Sequence, residues 1–388
     1  MRVAEHEDRV YLDLVDDGWR AVEIDPNGWQ VISNPPVRFR RATGMLPLPA
    51  PARGGSIQLL NSFLNLSSSN DFVLVIAWLL TTFRDSGPYP LLAISGEQGS
   101  AKTVLSKMLR SLIDPNVAPV RSAPREERDL FIAATNGHLL AFDNMSDLPA
   151  WVSDALCRLA SGGSFSIRQL YTNADEILFQ AARPIILNGI EDVITRPDLV
   201  DRTIFLTLSH LHETRRRTER EIWRDFEQAR PLILGALIEA VVHGLRSIPD
   251  VGIEKLPRMA DFALWSIACE RTFCPSGGFL EAYHANRRAA IDAVIEADLV
   301  AARIRDIMAE RTIWIGSALE LLSLAEAVGN SEEYRMGVKW PKSPRALAGR
   351  LRRVQTPLRA LGIEISFSRR GRAGTRTIEL RRHGCRTA

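Results

Sequence analysis

The sequence predicts an α/β fold built on a parallel sheet, and three observations lead to it. From Pro90 to Ser209, short apolar strands alternate with helical segments, the pattern of strand–helix–strand crossovers. One strand, LLAIS (Leu91–Ser95), runs straight into the glycine-rich turn GEQGSAKT (Gly96–Thr103) and then an amphipathic helix, VLSKMLRSLI. Two further apolar runs, HLLAFDN (His138–Asn144) and PIILN (Pro184–Asn188), end on polar side chains, which puts Asp143, Asn144 and Asn188 at strand ends.

The elements follow in chain order. Residues Arg9 to Arg40 alternate apolar and polar positions around DDG and DPNG, as in a small antiparallel meander. MLPLPAPARGG is a linker or an ordered loop. Two helical segments follow, about Ser56–Leu66 and Asn70–Phe83; the second starts at a capping Asn/Asp and is apolar nearly all round, as a buried helix is. SFSIRQLYTNADEILFQ has two alternating runs about Tyr171-Thr172-Asn173 and reads as a β-hairpin. From Arg215 to about Glu310 the chain reads as helix, and from about Ile315 as two helices and two strands.

Composition narrows the function classes. The 388 residues are 46% hydrophobic and 24% charged, which excludes collagen-like, coiled-coil and wholly disordered chains. The longest apolar run, Phe72–Leu80, is far below the roughly 20 residues of a membrane helix, so no membrane partner is expected. The polar, acidic start MRVAEHEDRV is not a signal peptide. Cys157, Cys269, Cys274 and Cys385 make no CxxC pair, which argues against a zinc knuckle or disulfide framework and for a reducing, cytoplasmic setting. Charge is uneven: Pro341–Ala388 holds thirteen Lys/Arg against two Asp/Glu, on a chain whose net charge is only +3. A basic module on a mildly acidic body is the electrostatic footprint of nucleic-acid binding; a solvated basic tail is the plainer alternative.

Between strand and helix, GEQGSAKT reads as a Walker A phosphate loop. Gly96 and Gly99 let the backbone curl so that the amides of Glu97, Gln98, Gly99, Ser100, Ala101 and Val104 and the helix N-terminus face phosphate oxygens. Lys102 reaches the β/γ-phosphates of ATP and Thr103 ligates Mg²⁺. Ala101 replaces the second glycine, a methyl tolerated if that residue keeps a negative φ. Asp143 takes the Walker B place and holds the Mg²⁺ shell; the plainer reading is a capping Asp. Asn144 follows, where related ATPases carry a water-polarising glutamate; an amide orients water but cannot take its proton. Asp147 and Glu97 are substitutes for that base. Asn188 is placed beside the γ-phosphate as a sensor, or is a turn-former before Gly189. Arg202, in preference to Arg196, stands before the last strand, where an arginine projects into a neighbouring subunit's nucleotide. Arg258 opens a helix and is a candidate second sensor. Arg168 and Tyr171 on the hairpin are candidate DNA contacts.

In the basic tail, Ser343-Pro344 starts a helix whose Leu347, Leu351, Val354, Leu358 and Leu361 share one face. Pro357 is expected to split it into two helices. IEISFS and TRTIEL then alternate about RRGRAG. A winged helix fits, with Arg350 and Arg353 on the helix and Arg369, Arg370, Arg372 and Arg376 about the wing as DNA contacts.

Taken together, GEQGSAKT, PREERDLFIAA, LLAFDNMSDLPAWVSDALCRLASGG, RPIILNGIED and DLVDR resemble the ATPase module of phage and mobile-element primase-helicases, which is similar to superfamily 3 helicases and the AAA+ class. The resemblance runs from about Arg9 to Leu380. It implies an AAA+-type sheet with a helical lid, and a replication ATPase that assembles as a homo-oligomer, usually a hexamer, and moves on or remodels DNA. Lys102, Thr103, Asp143, Asn188 and Arg202 carry over by motif position. No primase or polymerase segment precedes the ATPase, so priming is expected from a separate polypeptide or not at all. The expected division is 1–54 meander, 55–88 helical segment, 89–212 ATPase core, 213–312 lid and 313–388 winged helix. Helicase or translocase activity is the first reading and an ATP-gated initiator or loader the second. A small-molecule kinase is disfavoured by the basic module and Arg202.

Overall fold

The structure is a computed structural model; it describes residues 1–146, 148–168, 176–189, 194, 196–211, 216–328, 340–370 and 375–383. The chain forms two compact units, Met1–Asn286 and Arg287–Ala388.

The first unit opens with an antiparallel meander, β1 (Val3–His6), β2 (Arg9–Asp13), β3 (Ala21–Asp25) and β4 (Gly28–Ile32), paired in that order. It starts earlier than Arg9 because Glu7 and Asp8 both take positive φ, 49° and 58°, and close a two-residue hairpin without glycine. Helices α1 (Gln58–Asn61) and α2 (Ser69–Thr81) follow. The cap of α2 is Ser68 rather than Asn70 or Asp71: its Oγ accepts the Asp71 amide at 3.1 Å, leaving Asp71 in the first turn. Residues Phe72–Thr81 are all buried, as the apolar run predicts.

Strand β5 (Leu91–Gly96) leads into α3 (Lys102–Ile113), then α4 (Glu127–Asn136), β6 (Leu140–Met145), α5 (Ala150–Ser161), the hairpin strands β7 (Ser164–Arg168) and β8 (Glu176–Gln180), β9 (Ile185–Gly189), α6 (Pro197–Val200) and β10 (Thr203–Leu208). The sheet is parallel, in the order β10-β5-β9-β6. A parallel bridge from Arg121 to Phe142 extends it beyond β6. In chain order these five positions run fifth, first, fourth, third, second. The hairpin β7–β8 is inserted between the third and fourth. Helices α7 (Glu219–Ser247) and α8 (Ala260–Cys269) complete the unit's core, and α9 (Gly278–Ala297) begins in it. By length and mean hydropathy α7 would suit a membrane, yet Phe226, Ile233, Leu234, Leu237 and Val241 are buried in the core with Leu12, Val22 and Ile24 of the meander.

At the sheet end opposite the phosphate loop lies a buried polar knot. Asp114 accepts from Arg2 Nε at 3.2 Å and from the backbone amides of His138 and Leu139 at 3.0 and 3.2 Å. His138 Nε2 lies 2.7 Å from the Thr82 carbonyl oxygen. Every group here is buried, and His138 Nδ1 is left without a hydrogen-bond partner.

The second unit contains α10 (Leu299–Ala309), β11 (Ile313–Gly316), α11 (Ala318–Val328), α12 (Pro344–Ala360), β12 (Ile363–Arg370) and β13 (Thr375–Arg382). The strands form an antiparallel sheet in the order β11-β13-β12. Leu347, Leu351, Val354 and Leu358 of α12 bury one face against Ile304, Ile307, Leu321, Ile378 and Leu380. Three sequence expectations change here. Pro357 does not split α12: it lies inside the helix, buried beside Leu358, and the helix runs on to Ala360 although the Arg353 carbonyl loses its amide donor. Strand β11, only four residues long, joins the two strands read from the sequence. The 213–312 lid segment is also divided differently, because Val300, Ile304, Ile307 and Met308 of α10 belong to the core of the second unit.

Candidate nucleotide site

Strands β5, β6 and β9 end side by side, which brings the predicted polar residues together. A cavity of about 470 Å³ lies there, lined by Gln98 to Val104, Asp143, Asn144, Asn188 and Gly189. Gly96 and Gly99 take φ values of 146° and 84°. A Cβ on Gly96 would lie 2.7 Å from the Leu208 carbonyl oxygen, so only glycine fits. Ala101 departs from expectation. Its φ is +69° with ψ 26°, the left-handed region, rather than negative. The loop needs that turn to enter α3, and Ala101 adopts it despite its methyl.

Lys102 donates to the Gly96 and Glu97 carbonyl oxygens at 2.7 and 2.8 Å, curled back over its own loop. Partial burial lowers its ammonium pKa, with Asp143 opposing. Thr103 Oγ1 donates to Asp143, 3.0 and 3.2 Å from its two carboxylate oxygens. Asn188 Oδ1 accepts the Asn144 amide at 2.9 Å, and its Nδ2 donates to Ser106 Oγ at 3.1 Å. Sequence reading missed Ser106; its signal was its place one turn beyond Lys102 on the helix face that meets the sheet. Also missed was Asn65, whose amide donates to the carbonyls of Ser100 and Ser209 at 3.2 and 2.7 Å and ties the loop to β10.

The donor set suits Mg²⁺–ATP. A hydroxyl and a carboxylate are hard oxygen ligands, and Mg²⁺ takes one or two carboxylates together with substrate phosphates. The loop adds a cation, Lys102, and a helix N-terminus.

Other predicted residues lie elsewhere. Glu97 is exposed, 3.7 Å from His210. Arg202 donates to the Asp198 backbone carbonyl and carboxylate at 2.9 and 2.6 Å. Arg258, expected at the nucleotide, instead reaches the same Asp198 carboxylate at 2.6 Å and Asp201 at 3.4 Å, because two guanidiniums converge on one carboxylate outside the cavity. Burial pushes the Asp198 carboxyl up, but Arg202, Cys157 and Arg258 outweigh it and the net shift is downward. Arg196 pairs with Asp154 at 2.8 Å.

In the second unit, Arg350 is taken up internally: its guanidinium lies 3.1 Å from Asp298, whose other oxygen caps α10 through the amides of Val300 and Ala301. Arg353, Arg369 and Arg376 are exposed. Asp147, Tyr171 and Arg372 lie outside the described residues, as do the side chains of Arg168 and Arg370.

Two families match the chain. Residues 57–295 match the family described as actinomycete integrative conjugative element replication protein, and residues 300–387 match the AICE RepA C-terminal domain. No curated protein matches. Among solved structures, the apo C-terminal region of NrS-1 is 13% identical over 94% of this chain and 95% of its own, with a TM-score of 0.42. The JCV helicase is 12% identical over 58% of this chain and 66% of its own, with a TM-score of 0.28. The first family match spans well over half of the sequence, and the chain belongs to the replication proteins of actinomycete integrative conjugative elements.

Proposed function

We propose that this replication protein is a P-loop ATPase of AAA+ type that works on DNA as a helicase or translocase, with ATP bound between the subunits of an oligomeric ring, a hexamer by resemblance. The observation that carries the reading is the Thr103–Asp143 pair lining one cavity with Lys102 at the ends of parallel strands. The fifth-first-fourth-third-second strand order and the inserted hairpin support it.

In this reading the loop amides and Lys102 bind the triphosphate, Lys102 exchanging its two carbonyl partners for phosphate oxygens. Thr103 and Asp143 hold Mg²⁺, which neutralises charge developing on the phosphates. Asn144 is exposed at the cavity and orients water. Arg202 serves the neighbouring subunit's nucleotide. In the second unit, α10, α11 and α12 with the β11-β13-β12 sheet make a winged helix. There α12 meets duplex DNA, and Arg353, Arg369, Arg370, Arg372 and Arg376 bind phosphates. Arg168 and Tyr171 of the hairpin touch the DNA backbone. A separate primase or polymerase would supply primers, and the setting is the cytoplasm.

The exposed amide of Asn144, in place of a proton-accepting carboxylate, favours a second reading: an initiator or loader that uses slow hydrolysis to set its assembly state. The test measures ATPase rate with and without DNA, then strand displacement on a fork. DNA-stimulated hydrolysis with displacement supports the motor, and hydrolysis without displacement supports the switch. Lys102→Ala abolishes hydrolysis and leaves DNA binding intact. Equal rates in Lys102→Ala and wild type would remove the phosphate-loop assignment.

A further inference from the structure

We propose that Ser106 and Asn188 are positioning residues: with the Asn144 amide they form a directional hydrogen-bond relay that holds the β6 bulge carrying Asp143. The proposal rests on the ATPase reading above and gives Asn188 a task other than sensing phosphate.

The register shows why a relay is needed. Strand β6 pairs regularly with β9 as far as Phe142 opposite Leu187, and pairing resumes at Met145 opposite Gly189. Two residues, Asp143 and Asn144, therefore face the single residue Asn188, which is a β-bulge. Asn144 takes φ +56°, a left-handed conformation that asparagine adopts at lower cost than most residues. The bulge takes its amide out of the ladder. The Asn188 side chain, directly opposite, supplies the missing acceptor at 2.9 Å.

The direction of the relay follows from proton counting. Ser106 has one hydroxyl proton and donates it to the Lys102 carbonyl oxygen at 3.0 Å. Its oxygen is then an acceptor and takes an Asn188 Nδ2 hydrogen at 3.1 Å. That orients the amide, so Oδ1 must face the Asn144 N–H. Ser106 is fully buried and Asn188 is 2% exposed, so water does not compete. The relay thus runs from the first residue of α3 to the residue after Asp143. It keeps Asp143 within hydrogen-bond reach of Thr103, the neighbour of Lys102.

The test uses Ser106→Ala, which lies away from the cavity lining and removes one buried atom. Hydrogen exchange is followed at the Asn144 amide, and kcat and KM for ATP are measured. Losing one net hydrogen bond of about 1 kcal/mol predicts roughly fivefold faster exchange and a roughly fivefold lower kcat, with KM unchanged. In an Asn144→Gly background, glycine needs no help to stay left-handed, and the Ser106→Ala effect on kcat falls below about twofold. Asn188→Ser breaks the relay independently should Ser106→Ala not fold. Exchange unchanged in the relay variant would overturn the proposal. So would a kcat loss of full size in the Asn144→Gly background, because Asn188 would then act on the substrate directly. A wild-type protein that hydrolyses no ATP would overturn the ATPase reading, while exchange at Asn144 would still decide whether the relay holds the bulge.

Discussion

Ala101 offers a direct test of the phosphate-loop geometry. At φ +69° and ψ 26° it occupies the left-handed helical well, where a Cβ costs an L-residue about 1–2 kcal/mol. Ala101→Gly removes that cost but frees the unfolded chain, an opposing effect of about 0.4–1 kcal/mol. The net gain is about 0.5–1 kcal/mol. For a unit this large, about 2–4 °C per kcal/mol applies, so the melting temperature rises by about 1–4 °C. Ala101→Val adds a branch at Cβ in the same well and loses about 1–2 kcal/mol. Calorimetry or urea titration without nucleotide measures all three proteins, and the order must be Gly, Ala, Val. A glycine variant less stable than wild type, or a valine variant equal to it, would refute the left-handed assignment. The negative-φ expectation for this position would then stand.

Further outcomes follow from the other contacts. Arg353→Ala weakens duplex DNA binding and lowers the salt slope by about 1, whereas Arg350→Ala leaves the slope alone and costs the second unit up to about 1 kcal/mol through Asp298. DNA titrations at several salt concentrations, beside melting curves, separate the two. Burial holds the His138 imidazole down at about 4, although Asp114 and the Thr82 carbonyl push it the other way. The unfolded chain therefore binds that proton more tightly. Stability is fully present above about pH 6.5 and falls toward pH 4, with a ceiling of about 3 kcal/mol. Urea titrations across that window check the slope, which His138→Gln flattens. Arg202→Ala keeps ATP affinity but loses hydrolysis, with activity restored by mixing with Lys102→Ala protein. Arg258→Ala keeps ATP affinity because it lies off the cavity. Equilibrium ATP binding and turnover measure both, and weakened ATP binding by Arg258→Ala would return it to the nucleotide site.

What could be read from the sequence was whatever local chemistry dictates. The GEQGSAKT turn was legible because glycine spacing and a lysine at a helix start leave few alternatives, and the structure places Lys102, Thr103, Asp143, Asn144 and Asn188 around one cavity. The apolar alternation of β5, β6, β9 and β10 was equally plain. Misreadings arose where residue identity underdetermines the backbone. Alanine at 101 says nothing about the sign of φ, Glu7-Asp8 closes a hairpin without the usual glycine, and α12 runs through Pro357 to Ala360 on the strength of its buried face. The ion pairs were hidden for a different reason. Arg258 meets Asp198 across 60 residues of chain and Arg350 meets Asp298 across 52, so each partner is set by packing that no spacing rule encodes.

The same distinction bears on how the site works. A sequence motif names the groups that touch a nucleotide, because their chemistry is constrained by the ligand. It is silent about groups that hold those side chains in place, because many packings serve equally well. In the proposed ATPase Asp143 belongs to the first kind and Ser106 to the second. The bulge that presents Asp143 exists only because Asn188 replaces a missing ladder acceptor, and Asn188 is oriented only because Ser106 has spent its proton on Lys102. One hydrogen-bond direction, traced from a helix carbonyl, thus couples the backbone of Lys102 to the strand that carries Asp143. In the proposed ATPase, a rearrangement of α3 on nucleotide binding would reach Asp143 through that chain.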